Sequence, residues 1–195
     1  QLFARREKME LTYTVQNTHR AVGTRTSSHI YKTFGPEGLP DGHLTVRLRG
    51  SAGQSLGAFG MTGLRLMVDG DANDYVGKGL SGAEIIVAPQ GKAPINAHLS
   101  TIVGNTCLYG ATKGTLLAAG RAGEVGQHAA AVAHLAHAAG ESVDLAAVEG
   151  LHRVGDHHAG AGMVLAVRVK GLDHGFELHV VEDLEAFFLL RGEAE

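Results

Sequence analysis

Leu56-Gly57-(x)5-Gly63-Leu-Arg-Leu-Met-Val68 and Val76-Gly77-(x)4-Gly82-Ala-Glu-Ile-Ile-Val87 are two copies of one pattern, and Tyr109-Gly110-(x)3-Gly114-Thr-Leu-Leu-Ala-Ala119 is a third. Each begins with an aliphatic or aromatic residue and a glycine. A short polar stretch, a second glycine and a strand-like run follow. The segment Leu44-Thr-Val-Arg-Leu48, closed by Gly50, supplies an earlier copy of the strand part alone. Strand runs therefore begin near positions 44, 64 and 84, a period of 20 residues, and again near 115. The excess before the last run is the stretch from Pro89 to Ser100, which holds two prolines and reads as an excursion loop.

A period of 20 residues belongs to repeat architectures. No unit contains a ten-residue amphipathic helical pattern, which argues against leucine-rich and ankyrin-type stacks. Short strands joined by tight glycine corners predict a β-helix, with a Gly-rich antiparallel sandwich as the competing arrangement. Each corner reverses the chain within a few residues, and positive φ is cheap there only for Gly or Asn. Layers about 4.8 Å apart demand small or aliphatic inward residues that recur in register. The Leu, Ile, Val, Ala and Gly content and the absence of tryptophan fit that demand.

Composition bounds the rest. The chain has 195 residues, 44% of them hydrophobic and 19% charged, which is the profile of a globular protein. Glycine contributes 28 residues, about twice the usual ~7%. The net charge of -3 supplies no global field for nucleic acid or an anionic membrane. No apolar run reaches the ~18 residues of a membrane helix, and no signal-peptide layout opens the chain, so a cytoplasmic setting is expected. One cysteine, Cys107, excludes a disulfide framework or an all-cysteine metal site within the chain. A first residue of Gln1 reads as part of something longer.

The flanks differ from the middle. Residues 9–15 alternate like a strand. Thr24 to Phe34 suits a short helix stopped by Gly35-Pro36. After Glu124 the repeat disappears, and eight of the twelve histidines lie beyond it. Basic residues outnumber acidic ones by thirteen to nine up to Glu124, and are outnumbered four to eleven afterwards. Three segments are expected: an entrance at 1–40, the glycine-rich repeat at 41–124, and a divergent tail at 125–195. Within the tail, residues 126–139 and 141–150 are helix-permissive, Met163 to Val169 reads as a strand, and Glu182 to Leu190 as a short helix.

Several motifs resemble chemistry and fail on inspection. Gly77-Lys-Gly79-Leu-Ser-Gly82 matches G-x-G-x-x-G but precedes a strand, and no acidic residue occurs between Glu84 and Glu124. The phosphate-loop pattern fails because Ala72 stands where glycine is required. Asp69-Gly-Asp71-Ala-Asn73-Asp74 opens like a calcium loop. Asp74 then replaces the turn glycine and Leu80 the closing acid, so it reads as a polar corner. His128, His134, His137, His152, His157 and His158 lack a metal family's spacing with a general base. Cys107 has neither base nor electropositive neighbour and reads as an inward-facing small residue. No catalytic, cofactor-binding or metal residue is assigned.

The blocks GSAGQSLGAFG (50–60), GDANDYVGKGLSG (70–82), GNTCLYGATKG (104–114) and AAGRAGE (118–124), with the entrance LTYTVQNTHRAVGTR (11–25), closely resemble the C-terminal GXGXG domain of the glutamate synthase large (alpha) subunit. One component of formylmethanofuran dehydrogenase is a more distant likeness. The resemblance covers residues 1 to about 124 and implies a right-handed parallel β-helix. It also implies a non-catalytic structural role, with amidotransferase and FMN-binding synthase domains as partners. FMN and an iron–sulfur cluster are then expected elsewhere in the parent enzyme, with none in this chain. The alternative is a standalone β-helix protein docking on another redox or amidotransferase complex, such as formylmethanofuran dehydrogenase. Only architecture carries over residue by residue, at the corners Gly57, Gly77, Gly79, Gly82, Gly110 and Gly114. After Glu124 the likeness ends, and only Val154-Gly-Asp-His157 resembles a corner of the family. A truncation, fusion or frame change is expected there, with a tail containing Phe187-Phe-Leu-Leu190 capping the last strand edge.

Overall fold

A computed structural model describes Leu2, residues 7–89 and 100–123, and the backbone of two strands at Val164–Val169 and Glu177–Val181. Alternation in MELTYTV gives β1 (Met9–Val15), and the polar stretch from Thr24 gives α1 (Thr24–Phe34). The helix ends at Gly35 (φ 80°), whose N–H donates to the Tyr31 carbonyl. Ser27 and Ile30, three residues apart on one helical face, are the residues it buries. Ser27 Oγ accepts the Met61 N–H at 3.2 Å, and Thr24 Oγ1 donates to the Ala58 carbonyl at 2.9 Å.

The apolar runs then become β2 (Leu44–Ala52), β3 (Leu64–Ala72), β4 (Ser81–Ala88), β5 (Thr101–Val103), β6 (Lys113–Ala118) and β7 (Arg121–Ala122). They pair parallel, and the repeat sets the register: Leu44 faces Leu64, Val46 faces Leu66, Leu66 faces Ile85, and Ile85 faces Leu116. Since side chains alternate faces, Val46, Leu66, Ile85 and Leu116 stack as one buried column, flanked by Leu44 with Leu64 on one side and by Leu48, Val68, Val87 and Ala118 on the other. Ion pairs cross the outer face between Arg47 and Glu10 (2.5 Å) and between Arg65 and Glu84. The antiparallel sandwich is excluded for this region, because every pairing among β1 to β7 is parallel.

The expected right-handed parallel β-helix needs correction. The strands form one nine-stranded sheet in the order β1-β2-β3-β4-β6-β8-β9, with β5 and β7 off this path. Seven strands are parallel, and the crossover from β1 to β2 carries α1, which is a β-α-β unit and points to an α/β arrangement. At the other end β8 (Val164–Val169) pairs antiparallel with β6, and β9 (Glu177–Val181) antiparallel with β8. The 20-residue period reports how often a strand returns to its neighbour. It carries no information on whether the sheet closes into identical windings, or on the direction of strands added later. The strand expected at Met163 to Val169 is present as β8. The loop expected at Pro89 to Ser100 falls largely, and the tail helices and the Phe187–Leu190 cap entirely, outside the described residues.

Candidate functional site

Successive strands are joined by corners that stack as closely as the strands do. Gly57 N–H donates to the Val22 carbonyl, Gly77 N–H to Leu56 and Leu108 N–H to Val76, each at 2.8 Å. Leu56, Val76 and Cys107, which precede the glycines or leucine of this ladder, thus form a buried column that the half-buried Val22 extends. A second ladder runs from Ser55 N–H to the Asp74 carbonyl and from Tyr75 N–H to Asn105, both at 2.9 Å. A third joins Phe59 N–H to Lys78 and Gly79 N–H to Tyr109, both at 2.7 Å. Backbone groups that a turn would otherwise leave to solvent are therefore paired from one corner to the next.

All six glycines singled out in the sequence have positive φ: Gly57 at 67°, Gly77 at 67°, Gly79 at 62°, Gly82 at 121°, Gly110 at 66° and Gly114 at 128°. Two of them separate the reasons for glycine. A Cβ on Gly77 would sit 2.8 Å from Leu108 Cδ2, so that position is limited by space as well as angle. A Cβ on Gly110 would meet nothing within 4 Å, so only its backbone angle calls for glycine.

The sequence did not reveal how many other residues share this conformation. Ser55, Phe59, Tyr75, Thr106 and Leu108 also have positive φ, between 55° and 65°. Phe59 and Leu108 occupy ladder positions where other corners carry glycine, whereas Ser55, Tyr75 and Thr106 share one corner position that is left-handed without glycine. Nothing in their side chains marks them; only alignment of the corners by hydrogen bonding does.

The corner chemistry accounts for the rejected motifs. Gly77 and Gly79 donate their N–H groups to Leu56 and Tyr109, so those amides are consumed within the fold instead of facing a phosphate. In the acidic stretch, Asp69 and Asp71 belong to β3. Asp74 Oδ1 accepts the Asn105 N–H at 2.8 Å, while Asn73 Oδ1 accepts the Asp74 N–H and Asn73 Nδ2 donates to Asn17 Oδ1, both at 2.7 Å. Asp74 and Asn73 thus cap backbone groups. Among the described residues no three His, Cys, Asp or Glu side chains converge to hold a metal, and no helix is long and apolar enough to cross a membrane. The six histidines weighed as ligands lie outside the described residues.

Cys107 is 1% exposed, and its thiol donates to the Gly104 carbonyl at 3.4 Å. Burial pushes its pKa up to about 12; a backbone hydrogen bond with Val76 works against this and the nearby Asp74 charge adds to it. A thiol held protonated in an apolar column is neither a nucleophile nor a ready metal ligand.

The arrangement defines a glycine-cornered sheet whose polar backbone is committed to its own stacking. The profile of the GXGXG motif family matches residues 1–164, past the composition break at Glu124, and the chain belongs to that family. It is 59% identical over 123 residues to the glutamate synthase [NADPH] large chain of Azospirillum brasilense, covering 63% of this chain and 8% of that one. It is 51% identical over 113 residues to ferredoxin-dependent glutamate synthase 2 of Synechocystis, covering 58% and 7%. Against glutamate synthase [NADH] of Saccharomyces cerevisiae it is 50% identical over 108 residues, covering 55% and 5%. The chain thus spans less than a tenth of the length of these relatives.

Proposed function

We propose that this chain is a non-catalytic structural module of a glutamate synthase large chain, which makes glutamate from glutamine and 2-oxoglutarate. In this reading it supports the packing of the amidotransferase and FMN-binding synthase domains. The observation that carries the reading is the 59% identity over 123 residues to a segment that is 8% of a glutamate synthase large chain. The residues of that segment support it chemically. Its corner amides are paired with one another, the Asp74 carboxylate caps backbone, and its one thiol is buried and held protonated. FMN and the iron–sulfur cluster belong, on this reading, to other parts of the parent enzyme.

The test is direct. Purified chain is titrated with FMN and assayed for ammonia release from glutamine and for turnover of 2-oxoglutarate. Neither binding nor turnover is expected, and glutaminase activity in pure material would refute the reading.

A further inference from the structure

Among the described residues five large hydrophobic side chains are exposed, and three of them come from successive corners: Phe59 (57% exposed), Tyr75 (38%) and Tyr109 (54%). They are distant in sequence and adjacent in the stack. The Phe59 ring lies over Gly79, where a Cβ would fall 2.6 Å from Cδ1 and Cε1. Lys78 Nζ lies 5.8 Å from the Tyr75 ring centroid and 6.0 Å from that of Tyr109, within cation–π reach of both. The result is a row of exposed rings on successive corners, with one cation held between Tyr75 and Tyr109 and the Phe59 ring beside the adjoining Gly79.

One of these rings is carried on backbone that neighbouring corners give to glycine. Phe59 has φ 55° where the next two corners place Gly79 and Gly110, whereas the φ of 62° at Tyr75 is shared by Ser55 and Thr106 at the same corner position. A left-handed conformation costs about 1–2 kcal/mol per non-glycine residue, so glycine at position 59 would make a more stable corner. Strain retained for an exposed ring points to a role outside the fold. Aromatic residues gathered around a cation are also the composition of interface centres.

We infer that the Phe59–Tyr75–Lys78–Tyr109 surface docks this module onto the remainder of a glutamate synthase large chain, against an apolar surface carrying a carboxylate opposite Lys78. The occupant follows from length: the matched segment is 8% of the relative's chain, so more than nine tenths of that chain lies outside it. The inference rests on the structural-module reading proposed above.

The neighbouring corners provide replacements that the backbone accepts. Phe59→Gly takes the residue of Gly79, Tyr75→Ser that of Ser55, and Tyr109→Ala that of Ala58. The matched segment of the full-length Azospirillum brasilense large chain is replaced by that of this chain, and the chimaera is assayed for glutamate synthesis and for release of the module by limited proteolysis. The triple variant is expected to release the module at least ~10-fold faster, corresponding to about 1.4 kcal/mol. Tyr13→Ser with Tyr31→Ser, exposed rings on β1 and α1, should leave release unchanged. The triple variant of the present chain alone should melt no lower than its parent, which separates docking from folding. An active chimaera whose triple variant releases the module at the parental rate overturns the docking surface and leaves the module reading intact. A parental chimaera with no activity and a freely released module overturns both.

Discussion

The strand columns and the corner columns of this molecule stack through the same kind of backbone hydrogen bond, yet they limit the sequence differently. In the column Val46, Leu66, Ile85 and Leu116 the backbone is extended, any L-residue adopts it, and the limit is side-chain volume. In the corner column Gly57, Gly77 and Leu108 the limit is a left-handed backbone angle and the close approach of the next layer. A strand position is therefore read from hydrophobicity, a corner from the absence of a side chain. Where a corner departs from glycine, the departing side chain is informative: Leu108 is buried in the core, whereas Phe59 is exposed.

Substitutions that add a single methyl group sharpen this contrast. The largest loss is expected for Gly70→Ala. Gly70 stands in register with Gly50 at φ 155°, and a Cβ there would collide with the Gly50 carbonyl oxygen. Backbone cannot yield as a side chain does, so urea denaturation should show a loss of about 4 kcal/mol or failure to fold. Parental stability in Gly70→Ala would break the claim that this approach is limiting.

An intermediate effect is expected from Cys107 at alkaline pH. Its folded pKa is raised from 9.0 to about 12, so the folded state holds the thiol proton more tightly than the unfolded chain. The associated stability is complete below about pH 9 and is lost as pH rises toward 12, at no more than about 1.4 kcal/mol per pH unit. Cys107→Ala removes this dependence. The stability gap between parent and variant should therefore narrow from pH 8.5 to 11, and a constant gap would mean the thiol ionises equally easily in both states.

The smallest loss is expected for Gly110→Ala, about 1 kcal/mol, because the open space there leaves only the angle to resist it. A loss as large as that of Gly70→Ala would show that space is limiting at Gly110 too.

Much of this was legible in the sequence. The helix Thr24–Phe34 and the strand Met9–Val15 follow from periodicity and a Gly-Pro stop, and the Leu44 to Leu64 register from the repeat. The overall architecture was not, because strand spacing is silent on the helix-bearing first crossover as part of a sheet order. It is equally silent on the antiparallel pairing of Val164–Val169 with β6. The six corner glycines were visible as glycines. The equivalent angles at Ser55, Thr106 and Leu108 were invisible, since those residue types ordinarily avoid them. The aromatic surface was hidden for a related reason: residues 59, 75 and 109 fall on neighbouring corners only once the corners are aligned by hydrogen bonding.

Native-state amide hydrogen exchange at the corners tests the central claim, that corners and strands are one stacked hydrogen-bonded structure. The amides of Gly57, Gly77 and Leu108 should exchange as slowly as those of Leu66 and Ile85 in the adjoining strands. Exchange of the three corner amides at the rate of open loops, with the strand amides still protected, would contradict it.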